Sequence, residues 1–350
     1  MGAGKKLSSS SPHSPRSLRS PQTPQANSDP SLVNYPLLAF GWDMTAVKIS
    51  VPGTTANIGP GFDCLGAALT LYNQFAFEPL EGTNSALEIR VTGLEADRVT
   101  TDESNLAYQA FAKFYDRLGK TPPPVAIEIE LGVPLARGLG SSATAIVGGL
   151  MGANQLAGEP LSHEDLMQLA IAIEGHPDNV VPALLGGCRL AASAESSEGS
   201  DWQICEIPWH SDIVPVVAIP DFELSTVEAR KVLPTEYSRA DAIFNPAHLG
   251  LLLRGLETGN GDWLRVGTLD RIHQPYRKTL IPGYDAVRNA ALAAGAYGMT
   301  ISGAGPTLLA LASPSVATEV VAAMQVPWQA AGIHPEVRSL QVDTQGAKVG

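Results

Sequence analysis

The stretch "VPLARGLGSSATAIVGG", residues 133–149, decides how this chain is read. It follows "VAIEIEL" at 125–131, where Val125, Ile127, Ile129 and Leu131 alternate with polar neighbours in the period of a half-buried strand. A turn at Pro134 leads through a glycine–serine loop over 137–142 into small apolar residues, so the spacing predicts strand, loop and then a helix from about Ser142. The first amides of a helix have no partner within it and lie at the positive end of the macrodipole, so a loop of this kind can seat an anion. Gly138 and Gly140 let the backbone approach closely, and Ser141 and Ser142 add hydroxyls that can cap the helix or reach a phosphate-bound metal. Behind them, Ala143, Ala145, Gly148 and Gly149 permit tight packing. A plain tight turn has the same G-x-G pattern, and the lack of a Lys before the serines excludes a P-loop.

Composition narrows the partner. The chain has 350 residues, 44% hydrophobic and 17% charged, enough for two packed domains and too apolar for a disordered protein. A net charge of −12 and a pI near 5.0 argue against a general nucleic-acid or anionic-membrane binder and for a small-molecule partner. Cys64, Cys188 and Cys205 are odd in number and lack metal-ligand spacing, which suits a reducing compartment better than a disulfide framework or a zinc site. With no apolar run of about 18 residues and no secretory signal, a cytoplasmic location is expected.

Residues 1–44 differ from the rest: they are rich in Ser and Pro, hold Lys5, Lys6, Arg16 and Arg19, and have no apolar periodicity, which predicts a disordered tail. Outside it stand 19 basic against 33 acidic residues, a balance of −14. The tail reads either as a plastid transit peptide or as upstream sequence ahead of a start at Met44.

From Ala46 the pattern is mixed α and β. "AVKISV" at 46–51 and "LEIRVTG" at 87–93 alternate like half-buried strands. Ser104 can cap a helix that carries Ala107, Ala110, Phe111, Phe114 and Leu118 and ends at Gly119. A second helix opens at Ser162 with Asp165 at capping-box spacing and ends at Gly175. "AESSEGSD" at 194–201 reads as a hairpin loop, and a domain boundary is expected near 205. Beyond it lie a strand in "IVPVVAIP", helices near 239–257 and 285–294, and a glycine-broken strand pair around 300–312. No internal repeat is seen.

Two further glycine segments add to the loop: "VPGTTANIGPGFDCLGAAL" at 51–69 and "TISGAGPTLLALA" at 300–312. With "PLARGLGSSATA" at 134–145, they resemble in order and spacing the three motifs of the GHMP kinase superfamily of small-molecule ATP-dependent kinases, over nearly all of 46–340. Within it, "IEGHPDNVVPALLGG" at 173–187, "STVEARKVLP" at 225–234 and "QPYRKTLIPGYDAV" at 274–287 are similar to the homoserine kinase family.

The resemblance implies an α+β two-domain GHMP kinase fold: a ribosomal-protein-S5-domain-2-like ATP-binding domain over 45–205 and a ferredoxin-like domain over 206–350, with the site in the cleft between. It implies ATP and Mg²⁺ as cofactors and L-homoserine as substrate, with no nucleic acid and no membrane, and leaves a homodimer open. ATP would lie on Pro134, Leu135, Ala136, Arg137, Gly138, Leu139, Gly140, Ser141, Ser142, Ala143 and Thr144, with Asn105 beside the adenine unless it only starts a helix. Ser142 and Glu174 would hold Mg²⁺, a hydroxyl and a carboxylate being oxygen ligands that magnesium accepts. Arg230 and Arg277 would grip the substrate carboxylate and Asp63 its ammonium, with Asn57, His176 and Thr226 lining the pocket. His176 can equally be a buried structural histidine. No general base is assigned: Asp178 is a candidate, but Asp178 or Asn179 can equally cap the helix that follows. The rival readings are a kinase for mevalonate, a sugar or shikimate, a non-catalytic relative, and glycine segments that are only turns.

Overall fold

The computed structural model describes Met1 and residues 46–82, 85–196 and 199–350; the expected tail lies outside the described residues apart from Met1. The described residues from Ala46 onward form one compact unit. The strand read from Val47 and Ile49 runs on to Ala56 (β1, Val47–Ala56) and pairs antiparallel with a 15-residue β2 (Leu65–Pro79), with a register shift between Pro52 and Thr54. β3 (Leu87–Gly93) and β4 (Val125–Leu131) pair in parallel, Leu87 opposite Val125, with α1 (Leu106–Arg117) as the crossover. Asn105 rather than Ser104 caps α1: its extended backbone aims its side-chain oxygen at the amides of Ala107 and Tyr108, at 3.0 and 3.3 Å, while Ser104 bonds to Asp102.

β4 leads through the glycine loop into α2 (Ser141–Leu156), which begins one residue before the expected Ser142. A Cβ on Gly148 would come within 2.6 Å of the Phe75 ring, so the small residues of α2 are what allow it to lie flat on β2. α3 (His163–Glu174) has the expected Ser162–Asp165 capping box and stops at Gly175, φ 90°. α4 (Pro177–Leu185) starts at Pro177, which puts Asp178 and Asn179 inside its first turn and not at its cap. β5 (Cys188–Ser196) and β6 (Gly199–Ile207) make the hairpin expected around 194–201. The boundary expected near 205 falls within β6.

β7 (Val214–Ile219) opens a second sheet. After it come α5 (Thr226–Lys231), α6 (Arg239–Thr258), α7 (Gly261–Gly267), α8 (Gln274–Arg277) and α9 (Tyr284–Ala293). Then follow β8 (Gly298–Ile301), β9 (Leu308–Ala312), α10 (Ala317–Ala330) and β10 (Glu336–Ser339). The antiparallel order β10-β7-β9-β8 is the βαββαβ connectivity of a ferredoxin-like half. Alternation along β7 and β9 divides their side chains between two cores. Val216, Ala218, Leu308 and Ala310 face α9 and α10, whereas Val217, Leu309 and Leu311 join Leu65, Ala67 and Leu69 of β2 and Leu252 and Leu256 of α6. That second core joins the two sheets. β11 (Lys348–Val349) returns to pair with β1, so the last residues brace the first sheet. No described helix is long and apolar enough to cross a membrane.

Candidate active site

A cavity of about 530 Å³ is lined from both sheets: by the β1–β2 loop, the glycine loop with the start of α2, the α3–α4 junction, α5, Arg277 at the end of α8, and the Gly303–Gly305 turn. The glycine loop is held by its carbonyls. Those of Ala136, Arg137, Gly138 and Leu139 accept bonds from Leu224 N (3.2 Å), Thr307 N (3.2 Å), Ser302 Oγ (2.6 Å) and Thr54 N (3.0 Å). The amides of Gly138, Leu139 and Gly140 donate to no other described residue, and the α2 ladder begins with Thr144 N on Gly140 O at 3.0 Å. A run of unpaired amides at a helix start is an anion cradle. Gly140 sits at φ 70°, and a Cβ there would overlap Thr54 Oγ1, so the glycine is demanded by packing behind the loop as well as by φ. Thr54 Oγ1 in turn donates to Asn179 Oδ1 (2.7 Å).

Of the loop residues expected on ATP, Leu135, Ala136, Arg137, Gly138, Gly140, Ser141 and Ser142 line the cavity. Pro134, Leu139, Ala143 and Thr144 do not: Leu139 and Ala143 are spent on the cores, and Thr144 Oγ1 donates to Ser141 O at 2.8 Å. Arg137 is not free for a phosphate either. Its guanidinium donates to Pro220 O and Leu135 O and pairs with Glu95 (3.3 Å) and Glu223 (3.0 Å). Arg98 closes this cluster on both carboxylates, tying the glycine loop to the segment that leads into α5. Asn105 reaches the cavity beside Val99 and Thr100, but its oxygen caps α1 and its amide donates to Thr100 O at 2.7 Å.

Ser142 Oγ donates to Glu174 Oε1 at 3.0 Å across the start of α2 and the end of α3. Burial raises the Glu174 carboxyl above its ordinary value, with Asp178 adding and His176 and Ser142 opposing. His176 Nδ1 lies 2.6 Å from Asp178 Oδ1, which also accepts from Asn179 Nδ2 at 3.2 Å. Burial works against protonation of His176, yet Asp178, Glu174 and Asp63 together hold its value above the usual one.

Asp63, Arg230 and Arg277 all line the cavity, in an arrangement that the sequence did not show. Arg230 and Asp63 pair with each other through two parallel bonds, 2.8 and 3.0 Å. Arg277 is 2% exposed, donates to Ala229 O (3.2 Å) and Gly303 O (2.9 Å), and has no carboxylate in ion-pair contact among the described residues. Asn57 lines the cavity and is also a tie: its amide donates to Gly303 O (2.8 Å) and its oxygen accepts from Asp63 N (2.9 Å), which holds the β1–β2 loop against the Gly303 turn. Thr226, at the first turn of α5, lines the cavity as expected. Sequence reading passed over Thr54 and Arg98, and took Asn179 only as a possible helix cap. The "SGAGP" glycines were read as part of a family motif, but no site residue was assigned there.

The model of the GHMP kinases N terminal domain matches residues 105–187, and that of the GHMP kinases C terminal domain matches 251–329. The chain is 70% identical over 304 residues to homoserine kinase of Trichormus variabilis, covering 87% of this chain and 99% of that one. It is 68% identical to the homoserine kinase of Nostoc punctiforme, covering 87% and 98%. Among solved structures, homoserine kinase from Cytophaga hutchinsonii superposes with a TM-score of 0.78 at 31% identity, over 89% of this chain and all of that one. Mevalonate kinase of L. major, in complex with R-mevalonate, gives 0.64 at 16% identity, a likeness of fold alone. The chain belongs to the GHMP kinases and, within them, to the homoserine kinase family.

Proposed function

We propose that this chain transfers the γ-phosphoryl group of ATP to the side-chain hydroxyl of L-homoserine, giving O-phospho-L-homoserine and ADP, a step of threonine biosynthesis. The observation that carries the reading is a single cavity lined both by the bare amides of the glycine loop and by a buried guanidinium without an acid partner. The amides suit the phosphates of ATP. An unpaired buried cation is costly, and a substrate carboxylate relieves it.

In this reading Arg277, with Arg230 beside it, receives the homoserine carboxylate, and Asp63 receives the ammonium. His176 and Thr226 close the pocket around the side chain. Ser142 and Glu174 would hold magnesium: they are hard oxygen donors 3.0 Å apart. Magnesium takes one or two protein oxygens and keeps waters and phosphate oxygens in the rest of its shell. Bound there, it would supply positive charge to the phosphate oxygens. The loop amides neutralise charge on the transferring group, and the arginines fix the hydroxyl in line. Asp178 is engaged by His176 and Asn179, so positioning and electrostatics carry the reaction without a dedicated base. An ATP-consumption assay across homoserine, mevalonate, shikimate and galactose tests the reading. Turnover with homoserine alone is expected, and preference for any of the others overturns it.

A further inference from the structure

Phe62 lies in the β1–β2 loop, next to Asp63. Its ring is within cation–π range of both substrate-end arginines: the guanidinium carbon of Arg277 is 5.0 Å from the ring centroid and that of Arg230 is 5.7 Å. The ring also stacks on His273, centroids 5.2 Å apart and planes 24° apart.

This platform is built from the sequence upward. His273 caps α8 and Arg277 ends it, with Arg277 N on His273 O at 3.0 Å, so one helical turn brings both side chains to Phe62. His273 is fully buried, and its Nε2 donates to Gly59 O (2.8 Å), which fixes the ring to the loop that carries Phe62. Asp270 accepts the amides of His273 and Gln274 and anchors the turn from below.

Two guanidiniums side by side repel, and only Arg230 has a carboxylate in contact with it. The negative face of an aromatic ring offsets like charge without offering an acid that would compete with the substrate carboxylate. Leucine would fill similar space but could not do this. We infer that Phe62 is a positioning residue for substrate recognition: its ring sets the spacing of Arg230 and Arg277 and keeps Arg277 poised, without an acid partner, for the carboxylate of the amino-acid substrate. This rests on the reading of Arg277 as the carboxylate receptor.

The test compares Phe62→Leu, Phe62→Tyr and a series with mono-, di- and trifluorophenylalanine at 62, where shape is kept while the ring quadrupole weakens. Phe62→Leu is expected to raise the KM for homoserine roughly tenfold and leave the KM for ATP unchanged. Phe62→Tyr is expected to restore it, and log KM for homoserine should rise with each fluorine. A flat fluorine series, or equal shifts in both KM values, overturns the inference and leaves a packing role. Arg277→Met, measured alongside, separates the two failures. If it raises the KM for homoserine while the fluorine series is flat, the inference about Phe62 fails alone; if neither responds, the assignment of the carboxylate receptor fails with it.

Discussion

Replacing Arg277 with methionine isolates the charge that we propose receives the substrate carboxylate. Methionine keeps the apolar stem but removes the cation, together with the donors to Ala229 O and Gly303 O. Because Arg277 is buried and has no acid partner among the described residues, a carboxylate bound against it is desolvated; removing its partner then costs about 2–5 kcal/mol. At ~1.36 kcal/mol per factor of ten, this is roughly a 30- to 5000-fold loss in kcat/KM for homoserine. With ATP on the glycine loop, as proposed, its KM should not move. The assay is kcat/KM by coupled ADP release for homoserine and for 3-aminopropan-1-ol, which keeps the hydroxyl and ammonium but lacks the carboxylate. Wild type should turn the analogue over far less well, and Arg277→Met should leave that residual rate unchanged. A variant indistinguishable from wild type on homoserine, or an equal loss on both substrates, would refute the reasoning.

Glu174→Gln should lower kcat and raise the Mg²⁺ concentration needed for half-maximal rate, with homoserine binding by calorimetry unchanged; an unaltered Mg²⁺ requirement counts against Glu174 as ligand. Gly140→Ala should cost about 1–3 kcal/mol in chemical denaturation, because its Cβ meets Thr54 Oγ1, and Thr54→Ala in the same chain should recover part of the loss. Purely additive costs would show that the two residues do not collide. His273 gives a pH signature: burial holds its value below the ordinary 6.5, so the unfolded chain takes up the proton first. Stability contributed by neutral His273 is therefore present above about pH 6.5 and lost as the pH falls below it, with a slope of up to ~1.4 kcal/mol per unit that His273→Gln should remove. Identical slopes in both proteins would place a charged His273 in the native state.

What could be read from the sequence was local. Val125, Ile127 and Ile129 announce β4 because one face of it is buried, and the glycines at 138 and 140 announce the loop because few other residues adopt its φ values. β2 escaped because Leu65–Leu69 are all buried, which erases the alternation, and because Asn73 looks like a turn residue. In the fold Asn73 is buried mid-strand, where it donates to Thr144 Oγ1 and accepts the amides of Gly132 and Val133. The charged residues of the cavity, Asp63, Arg230 and Arg277, were picked out by type and motif, but which of them pair was not. Asp63 and Arg230 are 167 residues apart, and only the folded chain shows that they satisfy each other while Arg277 stays unpaired. Arg137 misled for the same reason: its partners Glu95 and Glu223 arrive from two other segments.

In the proposed reaction the phosphoryl group of ATP reaches the side-chain hydroxyl of homoserine. Phosphorus NMR of a reaction holding ATP, Mg²⁺, homoserine and this protein reads the acceptor atom directly. A phosphate-ester signal split into a triplet by the two protons of the γ-carbon, growing in step with ADP, is the predicted result. An acyl phosphate on the carboxylate, or inorganic phosphate released with ADP while homoserine stays unmodified, would contradict it.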